Sequence, residues 1–377
     1  MAFATIDLTK GITGVLPSAN ATYSTPRLNA QPLIINGDMA VAQRGTSSGI
    51  TTAGYYACDR FQTAVGNLAT WTISQDSDVP SGYGFANSLK LDCTTADASP
   101  STGDVLIVRQ RFEGQDVQLL KKGTSSAEKV TVAFWIKATK TGTNILELFD
   151  RDNSRTISQS YTISSSNTWE YKVINFSADT TGALDDDNNL SFEIAWWLGS
   201  GTDYTSGTLQ TSWGSQTDAD RAVGQVNHGD STSNNVFITG VQMEVGEYTS
   251  STLPPFQHES FEDNLARCQR YLYQINGTGN GRFATGGFFS TTQADVIVSF
   301  PCKMRNTYSI ATSSDSHFAL TSHTAEATPT GLALDTSAVL DAANVRVTVG
   351  SAIGSAGNYA LFLTKSASAK FNFDAEL

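Results

Sequence analysis

The clearest alternation in the chain runs from Val236 to Val245: Phe237, Val241, Met243 and Val245 fall on one face, Gln242 and Glu244 on the other. A period of two predicts a half-buried strand. Leu253-Pro254-Pro255-Phe256 breaks that pattern, and a helical one replaces it. Ser260 reads as an N-cap with Glu262 and Asp263 in the first turn. Phe261, Leu265, Cys268 and Leu272 continue as one apolar stripe, which predicts a short amphipathic helix docked on a neighbour.

Upstream, from Leu33 to Val245, strand patterns follow one another. Val130 to Ile136 is apolar on both faces at its centre, as expected of a central strand between layers. Ser88–Cys93, Trp169–Val173 and Ser191–Trp196 alternate cleanly. No long helical pattern intervenes, so parallel βαβ units are excluded and a two-sheet antiparallel sandwich of jelly-roll type is predicted. The segment from Gly199 to Asn235 is rich in Gly, Ser, Thr and Asp and reads as one long loop.

Downstream, Asn276-Gly277-Thr278-Gly279-Asn280-Gly281 reads as a flexible joint. Beyond it Ala294, Val296, Val298 and Phe300 alternate with polar residues, as do Val345, Val347 and Val349, and Tyr359–Leu363 adds a further strand. These predict a second, smaller β-sandwich. The organisation expected is an N-terminal segment (1–31), a jelly-roll sandwich (32–253), a linker with the helix (254–275) and a C-terminal sandwich (276–377). No repeat of fixed period points to a β-helix. Residues 1–31 carry Ile6, Leu8, Ile12, Val15 and Leu16 between Gly11, Gly14 and Pro17, without a heptad. So short a piece cannot bury these groups alone and is expected to order against a partner or neighbouring protomers.

Several strings are familiar. Leu33–Ser47 (L-I-I-N-G-D-M-A-V-A-Q-R-G-T-S), the D-R-F at Asp59–Phe61, I-T-G-V-Q-M-E-V-G from Ile238, and P-F-Q-H-E-S-F-E-D-N-L-A-R-C-Q-R-Y from Pro255 resemble a module of tail-fibre and minor virion proteins of tailed bacteriophages. Ile6–Asn20 (I-D-L-T-K-G-I-T-G-V-L-P-S-A-N) is similar to the N-terminal attachment region of such fibres. The resemblance implies a jelly roll similar to carbohydrate-binding modules, assembly as a homotrimer and attachment to other virion proteins through Ile6, Leu8, Ile12, Val15 and Leu16; it specifies no receptor, and a host cell-surface glycan is the partner expected of such a fibre. It implies the tail of a virion as the location, after synthesis in the host cytoplasm. A polysaccharide depolymerase and a purely structural fibre or capsid-decoration protein are the alternative readings.

Composition narrows this picture. Charged residues make up 16% of the 377, and 36 acidic against 24 basic residues give a net charge of −12. An acidic chain without a basic run is poorly suited to nucleic acid. No window approaches the ~20 apolar residues of a membrane helix, so no membrane insertion is expected. The start lacks a basic region and an apolar run, so no signal peptide is expected. Cys58, Cys93, Cys268 and Cys302 have no metal-ligand spacing and read as reduced, mostly buried thiols. The Asn-x-Ser/Thr matches are chance-level in a chain of this composition.

Candidate chemistry is sparse. None of the four histidines sits in a zinc-protease motif, and no G-x-S-x-G elbow exists. Asp150 with Asp152, or Glu193 beside Trp196-Trp197, has the composition of a glycosidase pair but reads first as solvated carboxylates. Asp185–Asn189 is oxygen-rich yet lacks the glycine and distal glutamate of a calcium loop, and turn formation is the simpler account. No catalytic residue, metal or cofactor is assigned. Trp71, Trp135, Trp169 and Trp196 read as core. Trp197 shares a face with Glu193, and Trp213 lies in a polar loop with Tyr204 nearby. Rings in polar settings stack on sugars or pack at subunit interfaces, and both readings stay open for Trp197, Tyr204, Trp213 and Glu193. Deleting residues 1–30 is expected to leave a folded protein that no longer enters particles; normal incorporation of the truncated chain refutes the attachment role.

Overall fold

A computed structural model describes residues 31–335 and 339–377. Residues 6–16, to which the attachment role falls, lie outside the described residues. The chain is almost entirely β, and every ladder between its strands is antiparallel. Residues before Val245 form two facing sheets. One has six strands in the order Ser47–Ile50, Thr70–Asp76, Ser88–Thr95, Asn235–Val245, Val130–Ala138, Glu170–Phe176. The other has seven, in the order Gly214–Ser215, Arg155–Ile163, Gly142–Asp150, Leu190–Ser200, Val105–Glu113, Gln62–Gly66, Gly54–Tyr55. Some sequence neighbours pair as hairpins within a sheet, as Thr70–Asp76 with Ser88–Thr95 and Gly142–Asp150 with Arg155–Ile163, and the others cross to the facing sheet, as in a jelly roll.

Alternation decides what fills the space between them. Val130, Val132, Phe134, Ile136 and Ala138 point inward from one sheet, and Phe192, Ile194, Trp196 and Leu198 from the other. Phe134 meets Trp196 edge-on, with centroids 5.5 Å apart and planes at 87°. Trp71 and Trp196 are fully buried here, as predicted. Trp135 and Trp169 are not in this core. Trp135 opposes Thr239 and Tyr171 on the outer face of the six-stranded sheet. The Trp169 ring lies 6.2 Å from Phe237, and its indole N–H donates to Asp78 Oδ1 at 3.0 Å.

The strand Asn235–Val245 carries the reason that simple alternation fails. A bulge lies between Thr239 and Gln242, with Gly240 at φ +61°. One extra residue reverses the parity of everything before it. Val236, Ile238, Val241 and Met243 therefore face the core, and Phe237 turns to the outer face against Lys90 and Lys137.

The second sandwich pairs a three-stranded sheet (Leu272–Asn276, Lys370–Asp374, Ser309–Thr312) with a seven-stranded one built around Arg282–Phe288, Gln293–Ser299, Ala342–Val349 and Tyr359–Thr364. Phe318, Phe362, Phe371 and Phe373 fill it. Asn276–Gly281 is a turn inside this sandwich: Gly277 N–H donates to Ala369 O at 2.7 Å, and the Thr364 hydroxyl donates to Gly279 O at 2.7 Å. The passage between the two sandwiches lies earlier, at the helix Phe261–Gln269. Ser260 caps it, its Oγ accepting from Asp263 N–H at 3.2 Å. Its buried face differs from the predicted stripe, for Phe261 is 54% exposed and Asn264 is buried with Cys268.

The two sandwiches are bonded together. Asn264 donates to Asp38 Oδ1 at 3.2 Å, and Gln43 Nε2 donates to Leu272 O at 2.8 Å. Arg60, fully buried at φ +69°, lays its guanidinium 3.4 Å from the centre of the Tyr271 ring. It also pairs with Glu376 and donates to Arg111 O at 2.7 Å. Glu113 accepts from Arg270 Nε and Nη2 at 2.7 and 2.6 Å and from the Tyr271 hydroxyl at 2.5 Å. Asn188, in the acidic run, exchanges hydrogen bonds of 2.7 Å with the Arg305 backbone and guanidinium. Burial opposes the Arg60 charge, but the Glu376 carboxylate holds the group above its ordinary value. Removing one partner of such a buried pair leaves the other charge stranded, at a cost of about 3–5 kcal/mol. Glu376→Gln is therefore expected to split urea unfolding into two transitions, with the smaller sandwich leaving first; a single unshifted transition contradicts this.

Candidate functional site

The outer face of the six-stranded sheet holds a cleft of ≈ 600 Å³. Trp135 forms its floor. Tyr83, from the loop before the strand Ser88–Thr95, lies 4.4 Å from Trp135, and Tyr171 lies 5.0 Å away on the next strand. Register places Tyr171 directly opposite Trp135, so one strand pair presents both rings to the same side. Tyr83 is 57% exposed and offers its ring to solvent.

A second group of rings forms the wall. Phe85, Phe256 and His258 meet with centroids 5.0, 5.2 and 4.9 Å apart. Phe256 and His258 come from the strap after Pro254-Pro255, whose path is fixed where Gln242 Nε2 donates to Pro254 O at 3.0 Å. Gly240 makes this approach possible. A β-carbon there would lie 2.6 Å from Phe85 Cζ and 3.0 Å from Trp135 Cδ1. The bulge thus needs glycine twice, for its left-handed φ and for the space.

None of the described residues lining the cleft is Asp, Glu, Lys or Arg. Burial, with Glu244 adding to it, pushes the Tyr171 phenol up to about 12, so its hydroxyl stays a neutral donor and acceptor. The cleft offers aromatic faces with a few neutral polar groups at the rim. It has no metal-binding set, and among the described residues no group of three His, Cys, Asp or Glu stands together elsewhere.

The four residues singled out in the sequence lie elsewhere and do not form one site. Trp197 points outward from the seven-stranded sheet but is 0% exposed. Ala222, Tyr204 and Leu209 of the loop that follows pack over it. Its indole N–H donates to Glu147 Oε2 at 3.1 Å, and Arg221 binds the same carboxylate at 2.8 Å through two nitrogens. Tyr204 does meet Trp197, at 5.3 Å, as part of that cover. Trp213 closes the end of the core, 6.3 Å from Phe192, with its N–H on Ser177 O at 2.8 Å. Glu193 is 1% exposed and bound by Arg109, Arg111 and Arg151. The stretch Gly199–Asn235 is long in order to bury that face. No sugar ring can stack on Trp197 with the cover in place. Asp150 is likewise buried against Lys122 and Asn153, while Asp152 accepts from Asp185 N–H.

The sequence does contain one sign of the cleft, the glycine that interrupts the most regular strand. Tyr83, Phe85, Phe256 and His258 gave no sign, because two loops distant in sequence bring them together.

No family model matches the chain, and no curated protein matches it. Solved structures do. The tailspike protein 4 enzymatically active domain of bacteriophage CBA120 is 13% identical with a TM-score of 0.30, covering 57% of this chain, which spans 21% of that one. A putative sugar binding protein from Bacteroides thetaiotaomicron is 14% identical with a TM-score of 0.32, covering 57% of this chain and 100% of its own. TmCBM61 in complex with β-1,4-galactotriose is 9% identical with a TM-score of 0.30, covering 57% and 99%.

Glu193 gives a prediction of its own. Burial alone would raise its carboxyl, yet Arg109, Arg151 and Arg111 hold it below the ordinary 4.5. A depressed folded-state value contributes stability above 4.5 that is lost as pH falls through the lower folded value. Glu193→Gln is expected to cost about 3 kcal/mol at pH 7. The gap from wild type should close on acidification in urea melts; a gap independent of pH counts against this account.

Proposed function

We propose that this chain is a non-enzymatic tail-fibre protein of a tailed bacteriophage that holds a neutral host-surface glycan in the cleft around Trp135. One observation carries the reading. Tyr83 and Tyr171 flank Trp135 at 4.4 and 5.0 Å on an open sheet face, and among the described residues no charged one lines the cleft. Sugar rings present C–H faces that pack on aromatic rings, while rim hydroxyls and amides take their OH groups. The lack of a carboxylate in the lining supports binding over hydrolysis, which needs two acids flanking the bond. The phage assignment rests on the motif strings of Leu33–Phe61 and Ile238–Tyr271. In a homotrimer anchored through residues 1–31, three weak sites act together, raising apparent affinity by roughly 10²–10⁴-fold where geometry permits.

A glycan array of bacterial surface polysaccharides tests this. A neutral-sugar hit is expected that Tyr83→Ala weakens about 3- to 10-fold and Trp135→Ala at least as much, an aromatic contact contributing ~0.5–1.5 kcal/mol. Binding unchanged by both variants rejects the cleft. Shortening of the polymer on incubation favours the depolymerase reading. An array without hits, from a protein that still enters particles, favours a structural role.

A further inference from the structure

We propose that the outer face of the seven-stranded sheet carries a second site, an oxyanion site formed by Arg109, Arg111 and Arg151 that takes the carboxylate of an acidic sugar. The three guanidiniums come from adjacent elements. Arg111 opposes Glu193 in register, Arg109 opposes Ala195 beside it, and Arg151 follows the strand that flanks Glu193 on its other side. All three converge on one carboxylate. Glu193 accepts from Arg109 Nη1 at 3.3 Å, from Arg111 Nε at 3.1 Å and from Arg151 Nη2 at 2.9 and 3.0 Å.

Three guanidiniums on one side-chain carboxylate is unusual for this chain, whose net charge is −12. Its other buried acids gather fewer: Glu147 pairs with Arg221, Glu113 with Arg270, and Glu376 with Arg44 and Arg60. The remaining acceptors around the cluster are Gln62 Oε1, which takes Arg109 Nε at 2.7 Å, and Leu377 O, which takes Arg111 Nη1 at 2.6 Å. Among the described residues nothing accepts from Nη2 of Arg109, Nη2 of Arg111 or Nη1 of Arg151, and Arg151 Nε is buried without a partner. Burial, which Glu193 only partly offsets, and repulsion from Arg111 and Arg151 hold the Arg109 guanidinium below its ordinary value. An incoming oxyanion accepts from the donors that Glu193 leaves over.

The geometry fits a small, partly desolvated anion. The side chains are 14%, 17% and 27% exposed, so their heads reach solvent from a fixed base. Arg151 is held flat, 3.8 Å from the centre of the Phe149 ring. Planar guanidinium forks bind carboxylate, sulfate or phosphate oxygens in pairs. The source is distinguished by size: a uronic acid adds ring contacts that a free inorganic anion lacks.

Calorimetric titration of the full chain with glucuronate, inorganic sulfate and glucose tests the site. Saturable glucuronate binding is expected, at least roughly tenfold tighter than sulfate, with none for glucose. Added salt weakens it, as charge screening requires. Arg109→Gln and Arg151→Gln should each weaken it about tenfold, and Arg151→Lys should weaken it too, since the charge stays but the fork is lost. Trp135→Ala should leave it unchanged, separating this site from the aromatic cleft. Thermal melts identify any variant that fails to fold, and Arg151→Lys then carries the comparison. Absence of saturable binding, or binding that all three arginine variants leave intact, overturns the proposal. Sulfate binding as tightly as glucuronate overturns the acidic-sugar assignment.

Discussion

The contact of Arg60 with Tyr271 and Glu376 organises the rest of the molecule. A guanidinium with no solvent exposure is stable only if its charge is compensated, and here Glu376, the Arg111 carbonyl and the Tyr271 ring meet it from three directions, leaving only Nε without a hydrogen-bond partner. The backbone at Arg60 takes the left-handed conformation to aim the side chain inward, which a non-glycine residue does only where its surroundings compensate. The strings that resemble phage fibres supply most of this joint. Asn36, Gln43, Arg44, Asp59 and Arg60 come from one, Asn264, Arg267, Arg270 and Tyr271 from the other. In this chain these residues serve to dock one sandwich on the other.

That docking assigns roles to the two outer faces. The smaller sandwich sits where Arg111 and Glu113 end their strand, against the seven-stranded sheet. The loop 201–226 covers Trp197 there, through Ala222 and Tyr204, and is held by Arg221 on Glu147. Among the described residues the six-stranded sheet has no comparable cover over Trp135. Large rings left on an open sheet face are the informative exception to burial.

How much of this was legible follows from parity and range. The fold class was readable because most strands alternate cleanly, as at Ser88–Thr95 with Leu89, Leu91 and Cys93 inward. The faces of Trp135 and Trp197 were not. Val130–Ala138 is apolar on both sides at its centre, so period alone gives no direction and points Trp135 to the core as readily as outward. Trp197 was correctly placed opposite Trp196, but an outward-facing residue is exposed only if no loop returns over it, and the cover here is chosen by Glu147, fifty residues upstream. Turn-like composition at Asn276–Gly281 suggested a joint, yet the chain crosses between sandwiches at a helix whose buried polar residue, Asn264, hid the docking face.

Gly240 shows why departure from a local rule is the better guide to a site than agreement with it. A strand with perfect alternation would place Phe237 in the core and carry a side chain where Phe85 and Trp135 now touch the backbone. The bulge gives up one regular ladder position and a residue of low conformational freedom. In return it turns Phe237 outward, opens a niche for two rings and lets the strap from Pro254 lie against Gln242. Packing of the core alone requires none of these changes, since Val241 and Met243 would fill it from an unbulged strand as well. The irregularity is explained by what it builds on the outer face, and this is the physical ground on which the proposed binding site rests.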